Sequence, residues 1–320
     1  MPNSKWRIAI HGGAGVDLRV DYTHVRRHLL AVVQEAGAAL ETGESALDVV
    51  EVAVRQLEES GLYVAGKGSA PNSAGVVELD ASLMDGASRR AGAVCAVANL
   101  ESPIAAARAV LDHSPHVLLA GDGAIAFAAE HGIRQIADPS AYYSGAIGIT
   151  EKHAAGDGVL SHGTVGAVAL DRAGNLAAAT STGGLLGKRA GRVGDTPLPG
   201  IGTWADKQVA ISCTGIGEAF ILSGGALSLT HRMAFRGSSI EAAGRQMLDD
   251  VESLGGDGGY IAVTAEGEFS LAYNSPGLKF ALMADDAPPA TGISRKEFDA
   301  ALDTRPEGPQ TNQGHHVCRK

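Results

Sequence analysis

The sequence predicts an α/β (α+β) fold in which two antiparallel sheets are stacked between layers of helices. Three observations lead there. Apolar strand patterns come as hairpins rather than in a clean β-α-β alternation. Helical repeats come in pairs before and after those hairpins. Glycine is about twice as frequent as usual, at 43 of 320 residues, and aromatics make up only 4%. That composition suits tight turns and close packing of strands and helices through small side chains.

The elements follow in order. Arg7 to Ile10 is a short apolar run that ends in the glycine-rich turn His11–Gly15. Leu29, Val32, Val33, Ala36 and Leu40 repeat at helical spacing. Leu47, Val50, Val54 and Leu57 do the same, with Ser45 as N-cap and Asp48 three residues on. Residues 78–84 and 92–98 read as strands. Ser102-Pro103 opens a helix through Leu111, with proline at a tolerated first-turn position, and a further helix covers 122–131. Residues 137–163 break the pattern: prolines, serines and glycines without periodicity make a loop of more than 20 residues, unusual inside a compact domain. It makes sense as a tail released by cleavage. Strands 164–170 and 176–180 form a hairpin around Asp171–Asn175. Strand 208–213, helices 217–228 and 239–252, and a hairpin of 259–264 with 268–273 complete the pattern. From Asp303 to Lys320 the chain is polar and is predicted to be a disordered tail.

Composition excludes several classes. A length of 320 residues allows one large domain or two small ones, and 45% hydrophobic residues supply a substantial core. A formal charge of −10 argues against nucleic acid or an anionic membrane as partner. No run of about 18 apolar residues is present, and Met1–Trp6 lacks an apolar signal core, so the expected location is cytoplasmic. Cys95, Cys213 and Cys318 are too few and too scattered for a disulfide framework or a metal site. Cys95 and Cys213 read as small core residues.

The chemistry points to Thr164. It opens an apolar strand directly after Gly163, at the end of the long loop. A threonine hydroxyl is too weakly acidic to attack an amide unaided. Cleavage of the Gly163–Thr164 bond would give Thr164 a free α-amine beside its own hydroxyl, so nucleophile and base would share one residue. An α-amine titrates near pH ~8, so much of it can act as a base at neutral pH. Gly163, without a Cβ, can take the strained backbone that attack on its carbonyl requires.

The run Gly163-Thr164-Val165-Gly166-Ala167-Val168-Ala169-Leu170-Asp171 resembles the cleavage site of the plant-type asparaginase and isoaspartyl peptidase family, N-terminal-nucleophile hydrolases that cut themselves before the threonine. His11–Gly15, Glu78–Gly86, Ser114–Val117, Thr180–Gly184, Gly191–Asp195 and Cys213–Glu218 match further blocks, in order. The resemblance implies an αββα four-layer sandwich in a single domain over 1–320, cut into 1–163 and 164–320. It implies that Thr182 tunes the Thr164 hydroxyl, and that the Thr214 hydroxyl and Gly215 amide form an oxyanion hole. It implies that Arg192 grips a substrate α-carboxylate, while Asp195 and the Gly217 carbonyl take the α-ammonium. The implied substrates are β-aspartyl (isoaspartyl) dipeptides and L-asparagine, without a cofactor or catalytic metal. A structural sodium ion, held by main-chain carbonyls of loop 57–67, and a homodimer of processed protomers are also implied.

The chain departs from the family at Val64, where asparagine is expected, at Ile216, where a polar residue is usual, and at Leu278 and Phe280 in Asn274–Phe280. These changes are expected to cluster on the pocket rim and to alter preference for the leaving group. His11 and His162 are tempting as bases, but no spaced acid supports a triad, and His162 reads as a loop residue. His315, His316 and Cys318 fall in the polar tail, where solvated disorder is the better reading. Two alternatives stay open. A glycosylasparaginase-like enzyme would carry aspartate before the nucleophile rather than Gly163. A non-catalytic, uncleaved binder of β-aspartyl compounds is kept open by Val64.

Overall fold

The computed structural model describes residues 5–17, 19–144 and 163–303. In chain order its elements are β1 (Arg7–Ala14), α1 (Thr23–Thr42), α2 (Ala46–Glu59), β2 (Glu78–Asp85), β3 (Ala91–Ala98), α3 (Pro103–His113), β4 (Leu118–Ala120), α4 (Gly121–Glu130) and the short α5 (Pro139–Tyr142). There follow β5 (Val165–Leu170), β6 (Leu176–Thr182), β7 (Thr203–Ala205), β8 (Val209–Gly215), α6 (Gly217–Ser223), α7 (Gly225–Arg236) and α8 (Ile240–Ser253). The last are β9 (Gly258–Thr264), β10 (Phe269–Tyr273), β11 (Leu278–Ala284), β12 (Ala287–Gly292) and α9 (Arg295–Asp303).

Two sheets are stacked. The larger has eight strands in the order β12-β11-β1-β5-β6-β2-β3-β4, and the smaller has four, β10-β9-β8-β7. All pairings are antiparallel except β3 with β4. Leu29, Val33, Val50 and Leu57 of α1 and α2 pack on Val165, Ala167 and Ala179, the outward face of the large sheet. A second core runs from Ala9, Val168 and Leu170 through the small sheet to Leu229, Met247 and Val251 of its covering helices. The result is the αββα layering expected from the hairpin-and-helix-pair pattern.

The facing surfaces of the sheets also carry a buried polar seam. His11 Nε2 lies 2.9 Å from Ser212 Oγ, which lies 2.8 Å from Thr180 Oγ1. Thr203 Oγ1 donates to Thr180 Oγ1 at 2.6 Å and accepts from Ser82 Oγ at 2.7 Å. A fully bonded polar chain in a low-dielectric interior fixes how one sheet sits on the other.

Local signals explain the helix starts. Ser45 Oγ accepts from Asp48 N, and Ser102 Oγ accepts from Ala105 N with Pro103 in the first turn. Elsewhere the structure revises the sequence reading. The helix expected over 217–228 is two helices, because Gly224 takes a left-handed conformation (φ 80°) that ends α6, and α7 continues to Arg236. The first strand does not stop at Ile10 but runs through His11–Ala14, since its partner β11 holds it. That partner strand, β12, β7 and α9 lay outside the sequence reading. Within loop 137–163, residues 139–142 form α5, whereas 145–162, including His162, lie outside the described residues. So do 304–320, with His315, His316 and Cys318.

Candidate active site

Thr164 stands at the head of β5, a central strand of the large sheet. The β5–β6 register pairs Val165 with Ser181 and so sets Thr164 opposite Thr182. Thr164 Oγ1 donates to Thr182 Oγ1 at 3.0 Å, and both side chains are buried. Thr182 Oγ1 also accepts from Gly184 N at 3.0 Å, which fixes the turn that follows β6.

On the other flank, β1 pairs with β5, with His11 beside Gly166. The His11 side chain hydrogen-bonds the Thr164 main chain, and the register of β1 against β11 shifts between His11 and Ala14. Ala14 N donates to Thr214 Oγ1 at 3.3 Å, so the end of β1 ties the small sheet's Thr214 to the Thr164 neighbourhood. Thr214 and Gly215 end β8, and helix α6 starts at once with Gly217. Strand end, glycine turn and helix start together direct main-chain amides to one side.

Arg192 and Asp195 lie on the loop between β6 and β7. Arg192 Nε and Nη2 donate to the two carboxylate oxygens of Glu218 at 2.8 and 2.6 Å. That bidentate pair orients the guanidinium, and Glu218 keeps it charged despite desolvation by burial. Asp195 is buried and backs on Gly217, where an added Cβ would stand 3.0 Å from Asp195 Oδ1. The loop itself is latched to β2: Lys188 Nζ donates to Glu78 O at 2.8 Å, and Gly191 N donates to the Glu78 carboxylate at 3.0 Å.

The structure thus brings Thr164, Thr182, Thr214, Gly215, Gly217, Arg192 and Asp195 to one end of the stacked sheets. His11 is not poised as a base. It is fully buried, and burial together with the Lys279 charge lowers its pKa to about 3, so it is neutral and serves the polar seam. Val64 is buried and packs close against Gly163, where an added Cβ would meet Val64 Cγ2 at 2.2 Å. Ile216 is half-buried, at the start of α6. Phe280 corrects the rim expectation. It is 1% exposed and meets Phe298 edge-on at 5.6 Å in the core, because the alternation of β11 turns it between the sheets. Leu278 is likewise buried in that core. Cys95 and Cys213 are buried free thiols, as expected.

Some site-forming residues escaped the sequence reading. Glu218, Lys188 and Asp80 fell in or beside matched blocks but suggested no role. Glu58 carried a signal: it continues the buried Val50–Val54 spacing of α2, an acid in an apolar register. Among the described residues no cluster of histidine, cysteine or acidic side chains could hold a metal ion, and no helix is long and apolar enough to cross a membrane.

Stacked antiparallel sheets between helical layers, with a threonine heading a central strand, define the class of N-terminal-nucleophile hydrolases. The family model described as Asparaginase matches residues 4–293, and the chain belongs to that family. The isoaspartyl peptidase of Salmonella typhimurium is 43% identical over 312 residues, spanning 90% of this chain and 98% of its own. That of Escherichia coli is 42% identical over 312 residues, spanning 91% and 97%. A plant-type L-asparaginase of Pyrobaculum calidifontis is 42% identical over 289 residues, spanning 84% and 93%.

Proposed function

We propose that this protein is a self-processed amidohydrolase that releases L-aspartate from β-aspartyl dipeptides and from L-asparagine. The observation that carries this reading is the buried Thr164–Thr182 hydroxyl pair, 3.0 Å apart, at the head of β5 directly after Gly163. Cleavage of the Gly163–Thr164 bond, by an N-to-O acyl shift and ester hydrolysis, frees the Thr164 α-amine. The amine then takes the hydroxyl proton as Oγ1 attacks the β-carbonyl of the substrate. The Thr214 hydroxyl and Gly215 amide receive the developing oxyanion. The same amine returns the proton to the departing nitrogen, leaving a β-aspartyl ester on Thr164 that water hydrolyses.

Arg192 holds the substrate α-carboxylate. Asp195 and the Gly217 carbonyl hold the α-ammonium. Discrimination therefore falls on the leaving side, where a dipeptide offers more surface than ammonia does. The working form in this proposal is a cytoplasmic homodimer of processed protomers. A structural sodium ion held by main-chain carbonyls of loop 57–67 belongs to the same proposal.

Denaturing gel electrophoresis and N-terminal sequencing test the proposal. Incubated protein should give two bands, 1–163 and 164–320, with the second beginning Thr-Val-Gly-Ala. Thr164→Ala should stay full length and inactive. A persistent single band with no hydrolysis of either substrate would favour a non-catalytic binder instead.

A further inference from the structure

Three adjacent strands set Asp80, Thr182 and Thr164 in one row. Asp80 of β2 is the register partner of Thr182 on β6, and Thr182 faces Thr164 on β5. Directly opposed residues on neighbouring strands share a face, so Asp80 and Thr164 stand on the strands to either side of Thr182 and on the same face of the sheet. Asp80 is fully buried. A local irregularity of the sheet serves it. The β2–β3 register shifts between Leu79 and Ala81, and Ala96 takes a left-handed conformation (φ 50°), rare for alanine. That backbone aims Ala96 N at Asp80 Oδ1, at 2.8 Å. Oδ2 has no hydrogen-bond partner among the described residues.

Thr182 presents the complementary deficit. Its Oγ1 accepts from Thr164 Oγ1 and from Gly184 N, and among the described residues no bond has its hydroxyl as donor. A buried hydroxyl without an acceptor and a buried carboxylate oxygen without a donor therefore stand on register partners of adjacent strands, and each is expensive to leave unpaired. Burial raises the Asp80 pKa, and the charges of Lys188 and Arg192 partly oppose that shift.

We propose that Asp80 is a positioning residue for the nucleophile, acting through Thr182. Its Oδ2 accepts the Thr182 hydroxyl proton, directly or through one water. With that proton engaged, a Thr182 lone pair is turned toward Thr164 and holds the Thr164 rotamer before attack. The Thr164 proton then passes to its own α-amine. This inference rests on the reading of Thr164 as nucleophile.

A double-mutant cycle on the full chain tests it, with Asp80→Asn, Thr182→Val, their combination, and Thr164→Ala as control. In Asp80→Asn the amide oxygen must stay on Ala96 N–H. The NH2 then faces Thr182 as a donor where an acceptor stood. We expect kcat on L-asparagine and on a β-aspartyl dipeptide, and the rate of self-cleavage, to fall about a hundredfold with KM nearly unchanged, the scale that nucleophile misplacement causes. The combined variant should be no slower than Thr182→Val alone. Multiplicative losses would overturn the proposal. So would a raised KM with kcat intact, which would assign Asp80 to the substrate loop through Lys188 and Arg192. Activity surviving in Thr164→Ala would instead remove the nucleophile reading, a distinct outcome. Should Asp80→Asn fail to fold, a crystal structure of the processed wild-type enzyme decides. Asp80 Oδ2 must then lie within hydrogen-bond reach of the Thr182 hydroxyl or of a water bonded to both, and a wider gap with neither overturns the proposal.

Discussion

Glu58 is a fully buried acid whose replacement by glutamine should stabilise the protein at alkaline pH and leave it unchanged in mild acid. Its carboxyl receives Ser102 Oγ and Ser181 Oγ, each at 2.6 Å, and Ile104 N at 3.0 Å, so it ties α2 to the start of α3 and to β6. Desolvation outweighs these three donors and raises its pKa from 4.5 to about 8. The sign follows from proton binding. The unfolded chain releases this proton near pH 4.5, whereas the folded chain keeps it to about 8. Across that window the folded state binds more protons, so Glu58 makes stability fall as pH rises. A shift of this size corresponds to an upper bound of about 5 kcal/mol between the two limits.

Glutamine is nearly isosteric with the protonated acid and carries no titration. Urea unfolding of wild type and Glu58→Gln at pH 5, 6, 7 and 8 isolates the term, because every other titrating group cancels in the difference. The two should match within about 1 kcal/mol at pH 5. The variant should gain steadily to a few kcal/mol by pH 8, visible as a melting temperature several degrees higher. A variant equally destabilised at every pH, or worse at pH 8, would refute the reasoning. It would show that the three donors hold an ionised carboxylate.

Arg192→Ala should raise KM for L-asparagine roughly tenfold to a hundredfold, the loss of one charged hydrogen-bonded contact, while self-cleavage proceeds because the internal peptide presents no free α-carboxylate. Failure to process in a folded Arg192→Ala protein would make the residue structural. Gly166→Ala would place a Cβ 1.9 Å from Ser212 Oγ and 2.5 Å from His11 Nε2, in the middle of the seam between the sheets. Denaturant unfolding should show a loss of about 2–5 kcal/mol from overpacking and a broken buried hydrogen bond, and a loss under about 1 kcal/mol would mean that the seam does not register the sheets.

The sequence by itself determined the layered α/β class, the presence of α1, α2, α3 and the β5–β6 hairpin, the N-caps of α2 and α3, and Thr164 as the candidate nucleophile. These are local matters. Period, caps such as Ser45 and Ser102, and a glycine–threonine junction after an unpatterned loop are all written within a few residues of one another. Strand β11 escaped because it pairs with β1, more than 250 residues away, and a strand whose partner is distant shows only a weak local pattern; β12 is the edge strand that pairs with β11 alone. The break between α6 and α7 escaped because a glycine pair at 224–225 reads equally well as a tolerated helix interior. The place of Phe280 needed the tertiary structure, since which face of β11 points between the sheets depends on how β1 is seated. The Asp80–Thr182–Thr164 row has the same origin. Its residues are far apart along the chain, and only the pairing of β2, β6 and β5 makes them neighbours, because side-chain contact across a sheet is set by register rather than by sequence separation.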